Sequence, residues 1–294
     1  MTTHIGKKTV LITGCTPGGI GHALCHEFNQ QGLHVIATAR DLSVLADLAE
    51  LGMSTVQLDV TNSVSIENCH KTVQNLTGGH LDILVNNAGR THVHPAIDLS
   101  IPEVRETFEV NVFGMMAMIS AFSGFLIAAN GLVINIASSA AVLPYTFGSA
   151  YCASKGAIVS YSRTLRQELE PLGVRVMVCM AGTVRSNIHN KEYRSLSPDS
   201  VYLPVDDIFQ KRQRFVNKAD PYDTKLFSRE LVASALSYEV PWLVRSWFGR
   251  PDWFWSGGLA RGAWWRTTIF GEWLNDWACS KIFDISRLSK KKAE

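Results

Sequence analysis

The sequence predicts an α/β fold, a doubly wound domain on a parallel sheet, and three observations carry that prediction. Short β-branched runs alternate strictly with segments of helical spacing from residue 9 to residue 180. Such alternation implies right-handed βαβ crossovers. The first run empties into a glycine-rich stretch, TGCTPGGIG (13–21), that opens a helix. The chain has 294 residues, 46% of them hydrophobic and 18% charged, enough apolar material for one large core.

The elements follow in order. TVLIT (9–13) is a buried strand ended by glycines. GIGHALCHEFNQQG (19–32) sets Ile20, Leu24 and Phe28 on one helical face and stops at Gly32. HVIATA (34–39) and STVQLDV (54–60) are strands, with a helix over 42–52 between them. A helix over 63–76 leads to the fourth strand and its turn, LDILVNNAG (81–89). One long helix is predicted over 104–130, a fifth strand over 131–138, a helix over 151–173 and a sixth strand over 174–180.

Bulk properties exclude several function classes. A formal net charge of +2 gives no footprint for nucleic acid. Six scattered cysteines form neither a metal-type spacing nor a disulfide framework, which fits reduced thiols in a cytoplasmic setting and no metal. The N-terminal apolar run is too short for a signal peptide. From Val110 to Ser154 there is no Asp, Glu, Lys or Arg. A membrane span would need such a run, but a helix covered by the sheet and a second subunit reads the same way. Asn111, Ser120 and Ser123 interrupt the run and favour the covered helix.

The glycine stretch has the chemistry of a dinucleotide site. Glycines permit a tight turn and close backbone approach, and the helix N-terminus offers free N–H groups to a pyrophosphate. Gly14, Thr16, Gly19 and Ile20 are the candidate contacts. The residue closing the second strand should read the adenosine ribose. An acid there selects NAD, whereas an arginine tolerates a 2′-phosphate. Here Ala39 occupies the acid's place and Arg40 follows, so NADP(H) is expected. Asp41 is read as a cap for the next helix, and Asp59 as a candidate for the adenine edge, with Val60 beside it.

FGSAYCASKG (147–156) contains Tyr-x-x-x-Lys, Tyr151 and Lys155. One helical turn puts both on one face. A phenol whose pKa is lowered by an adjacent ammonium can exchange a proton with a carbonyl or alcohol oxygen. Ser138 and Ser139 close the fifth strand, where ligands of open parallel sheets bind.

These stretches, with LDV (58–60), NNAG (86–89), FEVNVFG (108–114) and AGTVRSNI (181–188), resemble a single-domain, Rossmann-like short-chain dehydrogenase/reductase. The resemblance covers roughly residues 7–190 and implies Ser138, Tyr151, Lys155 and Asn111 as a catalytic tetrad. It gives Lys155 a second partner in the nicotinamide ribose. It also implies Asn87 and Ala88 along the cofactor and Val184 and Ser186 near its carboxamide. Two departures stand out. The glycine loop has four residues, Cys15–Gly18, where the family has three, and Ala181-Gly182 replaces the usual proline-glycine. SVYLPVDDIF (200–209) and the Trp-rich end resemble the branch of fungal 1-acyl-dihydroxyacetone-phosphate reductases and secondary-metabolite reductases.

The expected activity is hydride transfer between NADP(H) and a small-molecule ketone or secondary alcohol. A non-catalytic NADP(H)-binding sensor is the alternative from another class. The core is expected over 1–190. Residues 191–294 are expected to form a mobile substrate lid and a C-terminal extension of the same domain. Arg185, Lys191 and Arg194 either meet a substrate phosphate or form a solvated lid. All eight tryptophans lie at or after Trp242, interspersed with Arg245, Arg250, Arg261 and Arg266. That pattern suits peripheral contact with a membrane, or equally a cap packed on the core or on a second subunit of a homo-oligomer. The final KKAE resembles an endoplasmic-reticulum retrieval signal or is a solvated end. The expected location is therefore cytoplasmic, at the surface of the endoplasmic reticulum or a lipid droplet if the Trp-rich end binds lipid.

Overall fold

The computed structural model describes residues 6–187, 193–218, 221–238, 240 and 251–290. Seven parallel strands run in the order β3-β2-β1-β4-β5-β6-β7. They are β1 (Thr9–Ile12), β2 (His34–Ala39), β3 (Ser54–Gln57), β4 (Ile83–Asn86), β5 (Leu132–Ile136), β6 (Arg175–Ala181) and β7 (Trp253–Ser256). Because successive strand residues point to opposite faces, β1 feeds two cores. Val10 and Ile12 pack with α1 (Ile20–Gln30) and α8 (Thr224–Leu236). Leu11 packs with α3 (Ser63–Thr77), α5 (Gly114–Ala129) and α6 (Ser149–Leu169). Chain order reverses between β1 and β4, which opens the crevice where such sheets bind ligands.

The long helix predicted over 104–130 is interrupted. α4 (Ile101–Phe108) passes through a π turn at Glu109–Phe113 into α5. This helix is long and apolar enough to cross a membrane. Met115, Met118, Ile119, Phe122 and Leu126 nevertheless lie in the core under the sheet, so it is a core helix. Its outer side leaves Phe113, Ser120, Gly124 and Ile127 exposed.

The core does not end at residue 190. The seventh strand comes from 253–256 and pairs in parallel with β6, Val178 opposite Trp253 and Ala181 opposite Ser256. The crossover before it contains α8, whose Phe227, Leu231, Val232 and Ala235 are fully buried beside α1. Part of the expected lid is therefore sheet and core helix. Apolar burial at the sheet edge draws the segment in.

The rest of the C-terminal segment packs around residues 143–147. α7 (Asp206–Lys218) inserts Phe209 with Val205 against Phe147. α9 (Ala260–Phe270) and α10 (Glu272–Ile282) place Ala263 and Cys279 on Leu143. Of the described tryptophans, Trp253 stacks under Arg166 and Trp255 packs on the core, whereas Trp265, Trp273 and Trp277 are exposed. Lys191, Trp242, Arg245, Trp247, Arg250 and the KKAE end lie outside the described residues.

Candidate active site

The glycine loop is built by close approach. Gly14 has φ +72°, and a Cβ there would sit 3.0 Å from the Ala88 Cα. A Cβ on Gly21 would lie 2.5 Å from the Asn87 Nδ2 and 2.6 Å from the Gly14 carbonyl oxygen. Asn87 fastens the loop, its Nδ2 donating to the carbonyls of Thr13 at 2.9 Å and Gly14 at 3.0 Å. In return the Thr13 hydroxyl accepts the N–H groups of Asn87 and Ala88. The fourth loop residue is absorbed at Gly18, whose φ of +76° turns the chain back before Gly19. Gly19 begins α1 without a side-chain cap, leaving first-turn amides open to an anion.

A cavity of about 540 Å³ runs from this loop to the ends of β4, β5 and β6. It brings together Gly14, Thr16, Gly19, Ile20, Arg40, Asp59, Val60, Asn87, Ala88, Ser138, Tyr151, Lys155, Val184 and Ser186. Asn111 is not on the wall but behind it. The residues fit a dinucleotide: glycine cradles that a Cβ would fill, open amides at a helix start, and Arg40 beyond them.

At the adenosine end, Ala39 closes β2 and Arg40 is exposed. Asp41 does cap the next turn, accepting the Ser43 N–H at 2.9 Å. Its carboxylate is thus engaged locally. Burial works against the Asp59 carboxylate, but the N–H and hydroxyl of Thr61, helped by Arg40, hold its pKa below the usual range.

At the other end, Ser138 closes the loop after β5, its Oγ accepting the Ala140 N–H at 3.1 Å. Tyr151 and Lys155 lie one turn apart on α6, with the Lys155 Nζ 5.8 Å from the centre of the phenol ring. That Nζ donates to the Ile136 carbonyl at 2.8 Å. Burial lowers the Lys155 pKa to about 8. Burial also raises Tyr151 to about 12, against an opposing hydrogen bond from Ser138. The phenol pKa is thus raised, not lowered as the ammonium led one to expect: burial is the largest cause, and Nζ is turned to the Ile136 carbonyl.

Asn111 sits in the π turn and clasps the loop after β4. Its Oδ1 accepts the Arg90 N–H at 2.8 Å, and its Nδ2 donates to the Arg90 carbonyl and to Ser154 Oγ, both at 3.0 Å. A Cβ on Gly89 would come 3.3 Å from that Oδ1 and 3.9 Å from the Lys155 Nζ. Asn111 thus locks α6, which carries Tyr151, to the cofactor loop. A π turn inserted in an α-helix is the kind of break found at functional sites.

Gly182 explains the other departure. A Cβ there would overlap the Gly258 carbonyl oxygen at 2.0 Å, and its N–H bonds Ser256 at 2.8 Å. The turn after β6 is held by β7, without need of the proline.

Two of the expected phosphate contacts can be placed. Arg194 is an ion-pair partner of Glu103, and Arg185 is exposed, its carbonyl accepting from Thr224. The sequence reading gave no role to Arg212, which is buried close to Tyr151. A signal existed. Val205, Ile208, Phe209 and Phe215 mark the inward stripe of α7, and Arg212 falls in that stripe.

An α/β sheet with this order and this cleft defines a dinucleotide-dependent oxidoreductase of the Rossmann type. The family model for short chain dehydrogenases matches residues 8–196. A short-chain dehydrogenase of Neurospora crassa is 36% identical over 284 residues, 96% of this chain and 94% of that protein. The NADPH-dependent 1-acyldihydroxyacetone phosphate reductase of Schizosaccharomyces pombe is 40% identical over 217 residues, 72% and 73% of the two chains. The structure of a short-chain dehydrogenase from Streptomyces avermitilis aligns with a TM-score of 0.76 at 25% identity, covering 98% and 99% of the chains. The chain belongs to the short-chain dehydrogenase family.

Proposed function

We propose that the chain is an NADP(H)-dependent ketone reductase. The observation that carries this reading is a phenol beside a serine hydroxyl and a lysine ammonium, in the same cavity as the glycine loop. When bound, NADPH supplies the hydride. The open amides of the Gly14–Gly19 loop would hold its pyrophosphate, and Arg40 its 2′-phosphate. Asp59 and Val60 would meet the adenine, Asn87 and Ala88 the ribose side, and Val184 and Ser186 the carboxamide. Lys155 would bond the nicotinamide ribose. Ser138 holds the substrate oxygen, and Tyr151 gives it a proton. Asn111 fixes the helix that presents both Tyr151 and Lys155.

NADP is supported by Arg40 standing exposed at the end of β2 while Asp41 is engaged with Ser43. For the substrate, a lipid ketone such as 1-acyl-dihydroxyacetone phosphate is supported by the similarity to the S. pombe reductase. A ketone of fungal secondary metabolism is the second substrate class. The test is NADPH consumption with acyl-dihydroxyacetone phosphate and a panel of polycyclic ketones, the products followed by mass. Cofactor binding without consumption on every ketone would favour the sensor instead.

A membrane-facing role is favoured by one cluster. Trp265, Ile269, Phe270, Trp273 and Trp277 are exposed together on α9 and α10. This reading puts the enzyme in the cytoplasm on the surface of the endoplasmic reticulum or a lipid droplet. Flotation with liposomes, lost on replacing the exposed tryptophans with serine, is its test. Self-association through the exposed side of α5 is supported by the small residues there and by Phe113 and Ile127.

A further inference from the structure

Arg212 is 7% exposed and lies on the inward face of α7. Its guanidinium is held between two rings, 5.2 Å from the centre of Tyr145 and 5.7 Å from that of Phe283. The two cation–π contacts position the charge and leave its N–H groups to bind something. That edge approaches the start of α6: a Cβ on Gly148 would be 3.4 Å from one terminal nitrogen. The titratable groups that act on it are Tyr145, Cys152 and Tyr151, none of them a carboxylate. Its Nε is shielded from solvent and has no acceptor. Among the described residues no hydrogen bond or ion pair engages any of its nitrogens.

A guanidinium only 7% exposed, with its Nε shielded and no counter-charge, is costly, and such groups are normally paired. The other cations of this region behave in that way. Arg90 is paired with Glu106 and Arg194 with Glu103. An unpaired arginine whose charge is felt by Tyr145, Cys152 and Tyr151 is a different kind of object, with a planar fork suited to an oxyanion.

We infer that Arg212 is the specificity residue for an oxyanion on the substrate, a phosphate or carboxylate carried near the ketone that Tyr151 protonates. The inference rests on the ketone-reductase reading and names the substrate class within it: an anionic ketone. The stack on Tyr145 and Phe283 places the charge, and the lack of any protein acid leaves it for the ligand. Loop residues 143–148, α7 and the chain just after α10 thus surround this guanidinium beside the start of α6.

The test uses matched substrates and three proteins: wild type, Arg212→Met and Arg212→Lys. One pair is acyl-dihydroxyacetone phosphate and its dephosphorylated form, and the other is a β-keto acid and its methyl ester. Wild type should prefer one anionic member over its neutral partner by about 100-fold in kcat/KM, expressed in KM. Arg212→Met should lose at least about tenfold more kcat/KM on the anionic member than on the neutral one, erasing the preference, with NADPH affinity within about two-fold, and Arg212→Lys should restore part of it. Whichever pair shows the preference identifies phosphate or carboxylate. A preference that survives in Arg212→Met, or none in wild type for either pair, overturns the inference.

Calorimetry separates this from failure of the reductase reading. 1-Acylglycerol 3-phosphate and 1-acylglycerol, with a fatty acid and its ester as the carboxylate pair, need no turnover. Tighter binding of an anionic member that is lost in Arg212→Met upholds the inference even if no ketone is reduced. Equal binding of both members by wild type sinks it even if ketones are turned over. Thermal unfolding guards against a merely structural role. Arg212→Met should melt at or above the wild-type temperature, because an unpaired buried charge has been removed. Early melting with equal loss on both members would mean that the arginine holds the fold, not the substrate.

Discussion

Replacing Lys155 with methionine should make the protein inactive and, near neutral pH, no less stable. The side chain is 5% exposed, and burial moves its pKa from 10.5 to about 8. At about 1.4 kcal/mol per pH unit, that gap means roughly 3 kcal/mol against the charged form in the folded protein. The sign follows from proton counting. Between pH 8 and 10.5 the unfolded chain keeps the proton that the folded protein has lost, so the Lys155 contribution to stability rises with pH across that window. Methionine has similar length and no charge, and therefore escapes the penalty at pH 7. It also leaves the Ile136 carbonyl without its donor, a loss of about 1.5–3 kcal/mol. The two nearly cancel at pH 7. By pH 10 wild type should have gained most of the roughly 3 kcal/mol on the variant. Urea unfolding of both proteins at pH 7, 8, 9 and 10 measures this, and other titrating groups largely drop out of the difference. A difference that is flat with pH, or that moves in the variant's favour, would refute the burial argument. Turnover should fall by at least about 100-fold at every pH.

Further predictions concern the cofactor. Gly21→Ala pushes a methyl group into Asn87 Nδ2 and the Gly14 carbonyl, so it should cost about 1–3 kcal/mol of stability. It should also weaken NADPH binding at least about tenfold, read by fluorescence titration and thermal melting. Arg40→Ala should raise KM for NADPH by about 10- to 100-fold, the value of a charge-assisted bond, and leave NADH almost unchanged. An equal loss on both cofactors would remove Arg40 from the phosphate site.

The first six strands were legible because each is a short apolar run punctuated by glycine, and because parallel strands buried on both faces read as continuous hydrophobic stretches. The seventh was not. The partner of Trp253-Phe254-Trp255-Ser256 is more than seventy positions upstream, so its aromatics read equally as a membrane contact or a packed cap and not as a strand. The same distance hid the fate of Arg194: nothing local announces Glu103. The Tyr151–Lys155 pair was legible because its four-residue spacing is local, whereas Ser138 and Asn111 came from the family resemblance. The direction of the Tyr151 pKa shift was not legible because burial, its largest cause, belongs to the folded chain. Arg212 could have been found from sequence by following the α7 stripe from Val205 to Phe215 and asking why a cation interrupts it.

Everything in the mechanism converges on one hydroxyl. Tyr151→Phe removes the Tyr151 oxygen and leaves the ring, Ser138, Lys155 and the glycine loop in place. NADPH titration beside ketone turnover on that variant is the decisive pairing. The account requires unchanged cofactor affinity with reduction at background level; reduction at a rate near that of the unmodified enzyme would contradict it.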